Sequence, residues 1–373
     1  MLKIVFVADN VDGEKSGGVV STRRFIDFFK KSDNLTVIST GKPEKNKIIF
    51  PAFHLPFAKK QMQEMDFLFA WPNKKILTEA IQDADLVHIQ FPFYLGYQAA
   101  KIAKKLNKPI VFGFHVQPEN LMWNIGLDFE WLNAILYRFF IRSFYNKADL
   151  VLSPSAFGKE MLEKYNIQVP VEVVSNGLPE QFKPKESVRK EVFDGRFVVL
   201  MVGRLAAEKR HTLVMQAIQK SKFKDKIQLV VTGNGSMKEK LVELGSQLPN
   251  PAIFEYVSQE ELINLFNTAD LFIHASDIEL EGMAVLEAIG CGLPALISDS
   301  NQSASAQFAL NDQFLFSAGN LESLTAKLDY WIENEVQLEA SKVPYLEKAN
   351  TYAFGACAQQ ARDYYEAVVA EKK

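Results

Sequence analysis

Two cations at the end of a hydrophobic run, Arg204 and Lys209, are the first residues of this 373-residue chain whose types and spacing suggest chemistry. They leave the run through Gly203 on a loop that opens a helix. An arginine grips a phosphate with two parallel N–H groups, and a lysine adds a point charge. With the positive end of the following helix, the pair suits a diphosphate. A second group follows at Glu279-Leu280-Glu281-Gly282-Met283-Ala284-Val285-Leu286-Glu287. Gly282 marks a turn, Met283 begins a helical pattern, and Glu287 falls inside it. Three acids in an otherwise apolar stretch suit a ligand's hydroxyls, although an exposed glutamate is more often a surface charge. Glu279 and Glu281 are placed to reach a cleft mouth.

Two further features lie in the first half. His115 follows the apolar run 110–114, and a strand end of this kind points to a ligand crevice in a parallel sheet. Gly17-Gly18-Val19 lies between a first strand and a helix, where glycine lets backbone amides approach a phosphate or a sugar. The loop is not the Gly-x-Gly-x-x-Gly dinucleotide pattern, which argues against a nicotinamide enzyme. Gly233-Asn234-Gly235 ends another run and offers room for a base or ribose. Asp83-Ala84-Asp85 precedes its strand and reads as a solvated turn, so no metal site is expected. His54, His88, His211 and His274 carry no comparable signal.

The elements that must hold these residues alternate. Short β-branched runs at 4–8, 35–39, 86–90, 110–114 and 150–153 read as buried strands, with helical patterns such as 19–31 and 97–106 between them. The pattern restarts at 197–202, 227–232, 253–256, 271–274 and 295–298, separated by helical stretches that include 237–248 and 260–267. Such alternation predicts an α/β fold of two doubly wound, Rossmann-like domains with parallel sheets, facing each other across a cleft. The expected domains are 1–177 and 178–350. The remaining segment, 351–373, reads largely as a helix that either closes the second domain or returns to the first.

Composition narrows the class. The chain is 48% hydrophobic and 23% charged, ordinary for a globular protein with ample core. A net charge of −3 disfavours a nucleic-acid partner. Residues 1–176 carry 22 Lys and Arg against 18 Asp and Glu, and the remainder carries 20 against 27. A basic first half hints at an anionic partner such as a membrane surface. Two cysteines, Cys291 and Cys357, make no disulfide framework. No apolar stretch approaches the roughly 20 residues that span a bilayer. The expected location is cytoplasmic, peripheral at the inner face of a membrane.

Together, Val202-Gly203-Arg204-x4-Lys209, Gly233-x-Gly235, Glu279-x7-Glu287 and Gly290-Cys291-Gly292-Leu293-Pro294 resemble glycosyltransferase family 4 in order and spacing. Gly17-Gly18-Val19, His115 and Ser175-Asn176-Gly177 add a looser match in the first half. The resemblance implies a GT-B fold and a metal-independent transferase that retains anomeric configuration and needs no cofactor beyond its nucleoside diphosphate sugar donor. On that reading Arg204 and Lys209 bind the diphosphate, with Gly17, Gly18 and Gly203 near it. Glu287 binds the ribose, Glu279 faces the donor sugar beside Gly282, Met283 and Ala284, and Tyr256 and Val257 lie against the base. His115 lies near the reacting sugar. The terminal helix typically crosses back to the first domain in this family. One departure is clear: the family commonly shows Glu-Gly-Phe-Gly where this chain has Glu279-Leu280-Glu281-Gly282. The seven-residue gap to Glu287 selects Glu279 as the first acid.

By family frequency the donor is a UDP-hexose, with a GDP-sugar as the other candidate. The acceptor is expected to be lipid-linked or a glycan. Two stretches that mix bases with aromatics, 57–71 and 123–145, suit an interface with an anionic membrane through the first domain, though core packing accounts for such patterns too. Two other readings stay open: a catalytically silent GT-B scaffold, and a nucleotide-sugar epimerase that needs no acceptor.

Overall fold

A computed structural model describes residues 1–13, 17–53, 68–123 and 129–372. It divides the chain into two compact units, one of residues 1–176 with 356–373, the other of 177–355.

Among the described residues of the first unit, nine strands appear: β1 (Lys3–Val7), β2 (Asn34–Ser39), β3 (Lys47–Ile49), β4 (Ala52–Phe53), β5 (Phe69–Ala70), β6 (Leu86–Ile89), β7 (Ile110–Gly113), β8 (Leu150–Ser153) and β9 (Val171–Val173). Seven of them form a parallel sheet in the order β3-β2-β1-β6-β7-β8-β9, while β4 and β5 pair antiparallel at its side. The central strands are buried along their whole length, as helices on both faces require. The helices used below are α1 (Gly17–Ser32), α2 (Tyr94–Lys105) and α3 (Glu130–Ser143). The second begins three residues before the pattern at 97–106, because Phe93 takes extended geometry and serves as its N-cap.

The second unit repeats the plan. Its strands are β10 (Phe197–Val202), β11 (Ile227–Thr232), β12 (Ile253–Glu255), β13 (Leu271–His274), β14 (Ile278–Glu279), β15 (Ala295–Ser298), β16 (Gln302–Ser303) and β17 (Leu315–Phe316). Six of them form a parallel sheet in the order β12-β11-β10-β13-β15-β17, and β14 pairs with β16. Helices α4 (His211–Lys220), α5 (Lys238–Gly245), α6 (Gln259–Thr268) and α7 (Met283–Gly290) lie between these strands in sequence.

Each sheet has a point at which strand order reverses: between β1 and β6 in the first, between β10 and β13 in the second. Open α/β sheets bind ligands outside the strand C-termini at such points. The residues placed there are Asp9 and Gln90 in the first unit, and Gly203, Arg204 and His274 in the second.

The C-terminal helix, Phe354–Glu371, belongs from Ala356 onward to the first unit. Cys357, Ala361, Tyr365, Val368 and Val369 are buried in one core with Ile4, Phe6, Phe29 and Leu35. Arg362 pairs with the buried carboxylate of Asp33 at 2.9 Å. That helix starts later than the pattern from 351 suggests, since Thr351 and Tyr352 lie in a turn in which the Leu178 N–H donates to the Tyr352 carbonyl.

Candidate active site

After β10 the chain turns through Gly203, whose φ of 150° favours glycine. A short 3-10 turn, Ala207–Lys209, then brings three charged side chains into fixed positions. The Glu208 side chain is 1% exposed and receives a hydrogen bond from the Arg204 guanidinium at 2.9 Å. This ion pair at i and i+4 fixes a long side chain that would otherwise sample many rotamers. Lys209 extends back over Gly203, its aliphatic stem 3.8 Å from where a Cβ would sit. Arg210 adopts a left-handed conformation (φ 52°), opens α4, and donates from Nε to Asp277 at 2.5 Å. The Asp277 N–H donates to the Glu208 carbonyl at 2.9 Å. The loops after β10 and β13 are therefore tied together by backbone and side chain.

Lys209 forms an ion pair with Glu279, on β14, and the same carboxylate oxygen lies 3.3 Å from Nε2 of His274. Burial alone would raise the Glu279 carboxyl, but the Lys209 ammonium and His274 overcome it and hold the group well below the usual carboxylate range. Burial lowers His274 more than Glu279 raises it, so its ring is neutral near pH 7. His211, at the start of α4, is pushed to about 4 by burial and by Lys209 and His274. The cluster thus keeps its charge on Lys209 and Glu279 and its imidazoles neutral.

Helix α7 begins at Gly282, in a left-handed conformation (φ 96°) with no side-chain cap, so its N-terminus keeps donor groups for an anion. A Cβ on Gly282 would come within 2.5 Å of the Ser305 hydroxyl, which restricts this position sterically as well. Met283 and Ala284 form the first turn of α7, and Glu287 lies in its second. Glu281 departs from expectation. It is 2% exposed and buried in its loop instead of reaching a cleft mouth. The acid set against Lys209 is Glu279.

The glycines at 233 and 235 also have another reason than expected. A Cβ on Gly233 would meet the Gly203 carbonyl oxygen at 1.8 Å, and one on Gly235 the Leu205 carbonyl oxygen at 2.5 Å. Backbone packs on backbone here: the turn at 233–235 lies directly against the loop carrying Arg204. Tyr256 is 62% exposed beyond β12, next to the Gly233 turn, whose N–H donates to the Glu255 carbonyl.

In the first unit His115 follows β7 and is half-buried. Burial, helped by His88, lowers its pKa to about 3. Gly17 and Gly18 form the first turn of α1, and the Thr22 hydroxyl donates to the Gly18 carbonyl. Glu14, Lys15 and Ser16 lie outside the described residues, as do the greater part of the 57–71 stretch and residues 124–128. Within the described part of these stretches, Trp71, Phe129, Trp131, Ile135 and Phe139 are exposed. Among the described residues no group of three His, Cys, Asp or Glu side chains is placed to hold a metal, and no helix is long and apolar enough to cross a membrane.

The sequence reading missed His274 and Glu208. His274 is the last residue of β13, and the strand-end rule that singled out His115 would have flagged it. Glu208 lay four residues after Arg204 in the right spacing for a pair, but its burial could not be read from that spacing.

This geometry can be set beside known proteins. The model for glycosyl transferases group 1 matches residues 182–348, and that for glycosyltransferase family 4 matches residues 16–182. The chain is a glycosyltransferase of family 4. The family member alpha-monoglucosyldiacylglycerol synthase of Streptococcus pneumoniae is 28% identical over 57% of this chain and 51% of its own length. A GDP-mannose-dependent alpha-mannosyltransferase of Mycobacterium tuberculosis is 28% identical over 58% of this chain and 56% of its own. The chain thus spans about half the length of these two relatives. Among solved structures, the Anabaena protein HepE in complex with UDP and glucose superposes with a TM-score of 0.76 at 15% identity, over 98% of this chain and 100% of that one. At that identity the likeness establishes the fold, which is GT-B: two Rossmann-like α/β domains.

Proposed function

We propose that this glycosyltransferase moves a hexose, with retention of configuration and without a metal, from a UDP-sugar to a hydroxyl of a lipid-linked acceptor. The observation that carries the reading is the charge cluster of the second unit: Arg204 anchored on buried Glu208, and Lys209 paired with Glu279, at the strand-order reversal. Breaking the anomeric C–O bond leaves negative charge on the diphosphate and positive charge on the sugar. Two fixed cations and the uncapped N-terminus of α7 match the first, and the Glu279 carboxylate matches the second. Because the cations are held before the reaction begins, little reorganisation accompanies it. The acceptor hydroxyl attacks from the face the diphosphate leaves, and a departing phosphate oxygen takes its proton. His115 is read here as the contact to the transferred hexose, the role that the resemblance to the family implies. Its neutral ring suits a hydroxyl contact better than a charge.

The acceptor reading is supported by the name of the Streptococcus relative and by the exposed face of α3, where Trp131, Ile135 and Phe139 recur every four residues beside Arg138 and Arg142. Amphipathic surfaces of this composition lie on anionic bilayers. The GDP-mannose-dependent relative keeps a GDP-sugar as the competing donor.

A thermal-shift series with UDP-glucose, other UDP-hexoses, GDP-mannose, UDP and GDP tests the donor, since a ligand bound to the folded form raises its melting temperature. Stabilisation by UDP-sugars is expected, with UDP released when vesicles containing diacylglycerol are added. Stabilisation by GDP-sugars alone would overturn the donor assignment. Interconversion of the free nucleotide sugar would favour an epimerase, and indifference to every nucleotide would favour a silent scaffold.

A further inference from the structure

The strand-order reversal of the first unit carries a buried polar chain that the charge chemistry does not use. At the end of β6, Gln90 is 2% exposed. Its Oε1 lies 2.7 Å from Nε2 of His88, and Nδ1 of His88 lies 2.7 Å from the hydroxyl of Tyr365 on the C-terminal helix. Phe6 stacks on the His88 ring at 4.3 Å, and Phe29 packs 5.1 Å from Tyr365, so neither end can swing away without opening the core.

Hydrogen-bond chemistry gives this chain a direction. The carboxamide oxygen only accepts, so Nε2 of His88 must carry the hydrogen. Burial lowers the His88 pKa to about 4, leaving the ring with one hydrogen near pH 7. Its Nδ1 is then an acceptor, and the Tyr365 hydroxyl donates to it. The sequence Tyr365 to His88 to Gln90 fixes which way the Gln90 amide faces. The other arm, Nε2 with its two N–H groups, has no partner among the described residues. Nor is it one of their sealed, unsatisfied polar atoms, so a ligand oxygen can reach it.

The neighbourhood is suited to a ligand. Gly113, in β7, has no side chain to keep its neighbours apart: a Cβ there would fall 2.7 Å from the His115 ring and 3.1 Å from Oε1 of Gln90. His115 and Gln90 therefore come together over Gly113 at the C-terminal edge of the sheet, where strand order reverses and such sheets bind their ligands.

We infer that Gln90 is a ligand-contacting residue that donates its amide N–H to a hydroxyl oxygen of the transferred sugar or the acceptor, and that His88 and Tyr365 are the positioning residues that aim it. The inference rests on the proposed transferase reading for the identity of the ligand, but not for the direction of the chain. It also gives the C-terminal helix a second task beyond core packing: delivering one hydroxyl to the foot of a binding residue.

The test has a part that needs no substrate. NMR of the full chain with isotope-labelled histidine should show His88 as the Nε2–H tautomer, with that preference lost in Tyr365→Phe. An Nδ1–H tautomer in the wild type would reverse the chain and overturn the proposal. The kinetic part follows UDP release from UDP-glucose, and in parallel GDP release from GDP-mannose, with and without vesicles containing diacylglycerol. Gln90→Ala should lower kcat/KM about tenfold, and Tyr365→Phe about threefold, with melting temperatures close to wild type. A loss already present in donor hydrolysis without acceptor assigns the contact to the donor sugar. A loss confined to the acceptor KM assigns it to the acceptor. Unchanged rates in Gln90→Ala, in an active enzyme, would sink the inference and leave the transferase reading standing. A wild type inert towards both nucleotide sugars would sink the transferase reading, while the tautomer would still decide the direction of the chain.

Discussion

The two strand-order reversals share a topology and differ in how they treat charge. In the second unit the groups at that point are ionised and paired: Arg204 with Glu208, Lys209 with Glu279, Arg210 with Asp277. In the first unit they are neutral or close to it. His88 and His115 are held unprotonated by burial, and the Asp9 carboxyl is raised to about 7 by burial against a weaker opposing hydrogen bond from the Ala70 N–H. One edge thus carries paired charges and the other polar groups that are neutral or nearly so. The same sheet plan supports both because these groups sit at and beyond the strand ends, where the sequence is free to differ.

That contrast can be broken most sharply at Lys209. Lys209→Ala should lower turnover by roughly 10²–10³, the cost of removing one preorganised donor from a developing oxyanion. Glu279→Ala should fall nearly as far while circular dichroism stays unchanged. If both variants kept near wild-type rates in a coupled UDP-release assay, the charged edge would not be the reacting one. Glu208→Gln is expected to cost about tenfold, because Arg204 keeps a hydrogen-bond acceptor but loses its counter-charge. An effect as large as that of Lys209→Ala would mean that Glu208 itself touches the ligand.

The neutral edge predicts a smaller, pH-dependent effect on stability. With its folded-state pKa near 7 against a usual 3.8, Asp9 holds its proton in the folded protein where the unfolded chain has released it. Its contribution is fully present below about pH 4 and is lost as pH rises through 7. Asp9→Asn, which can still accept from Ala70, should gain on the wild type between pH 5 and 8 by on the order of 1–3 kcal/mol in urea unfolding. Parallel pH profiles would show an ordinary carboxylate. The smallest effect on the chemistry is expected from the exposed face of α3. Trp131→Ala with Phe139→Ala should reduce flotation with anionic vesicles and leave nucleotide binding intact. Equal, negligible flotation of wild type with anionic and neutral lipid would remove the membrane contact.

Much of this was legible in the sequence because parallel sheets write themselves as short apolar runs. The central strands β1, β6, β7, β8, β10, β11, β13 and β15 fall on such runs, since burial on both faces demands continuous apolar side chains. The edge and accessory strands β3, β9, β14, β16 and β17 are two or three residues long and carry no periodicity to detect. In the site, Arg204, Lys209 and Glu279 were visible because charges stand out beside apolar runs. Glu281 stood out equally and is buried. The Gly233-x-Gly235 pair suggested ligand clearance from its position, but its clearance for the Arg204 loop appears only in three dimensions.

The amino-acid sequence alone determined that there are two α/β units, where the central strands of each sheet lie, and which charged residues follow them, because local apolar patterning and loop position need no partner to be read. Tertiary structure alone decided which of these residues meet. Lys209 and Glu279 are 70 positions apart, and Tyr365 and His88 are 277 apart. Contacts of that range arise only when strands are ordered within a sheet and a terminal helix packs into the core. Burial arises in the same step, and with it the neutrality of His88 and His115, while the Lys209 contact keeps Glu279 charged against its burial.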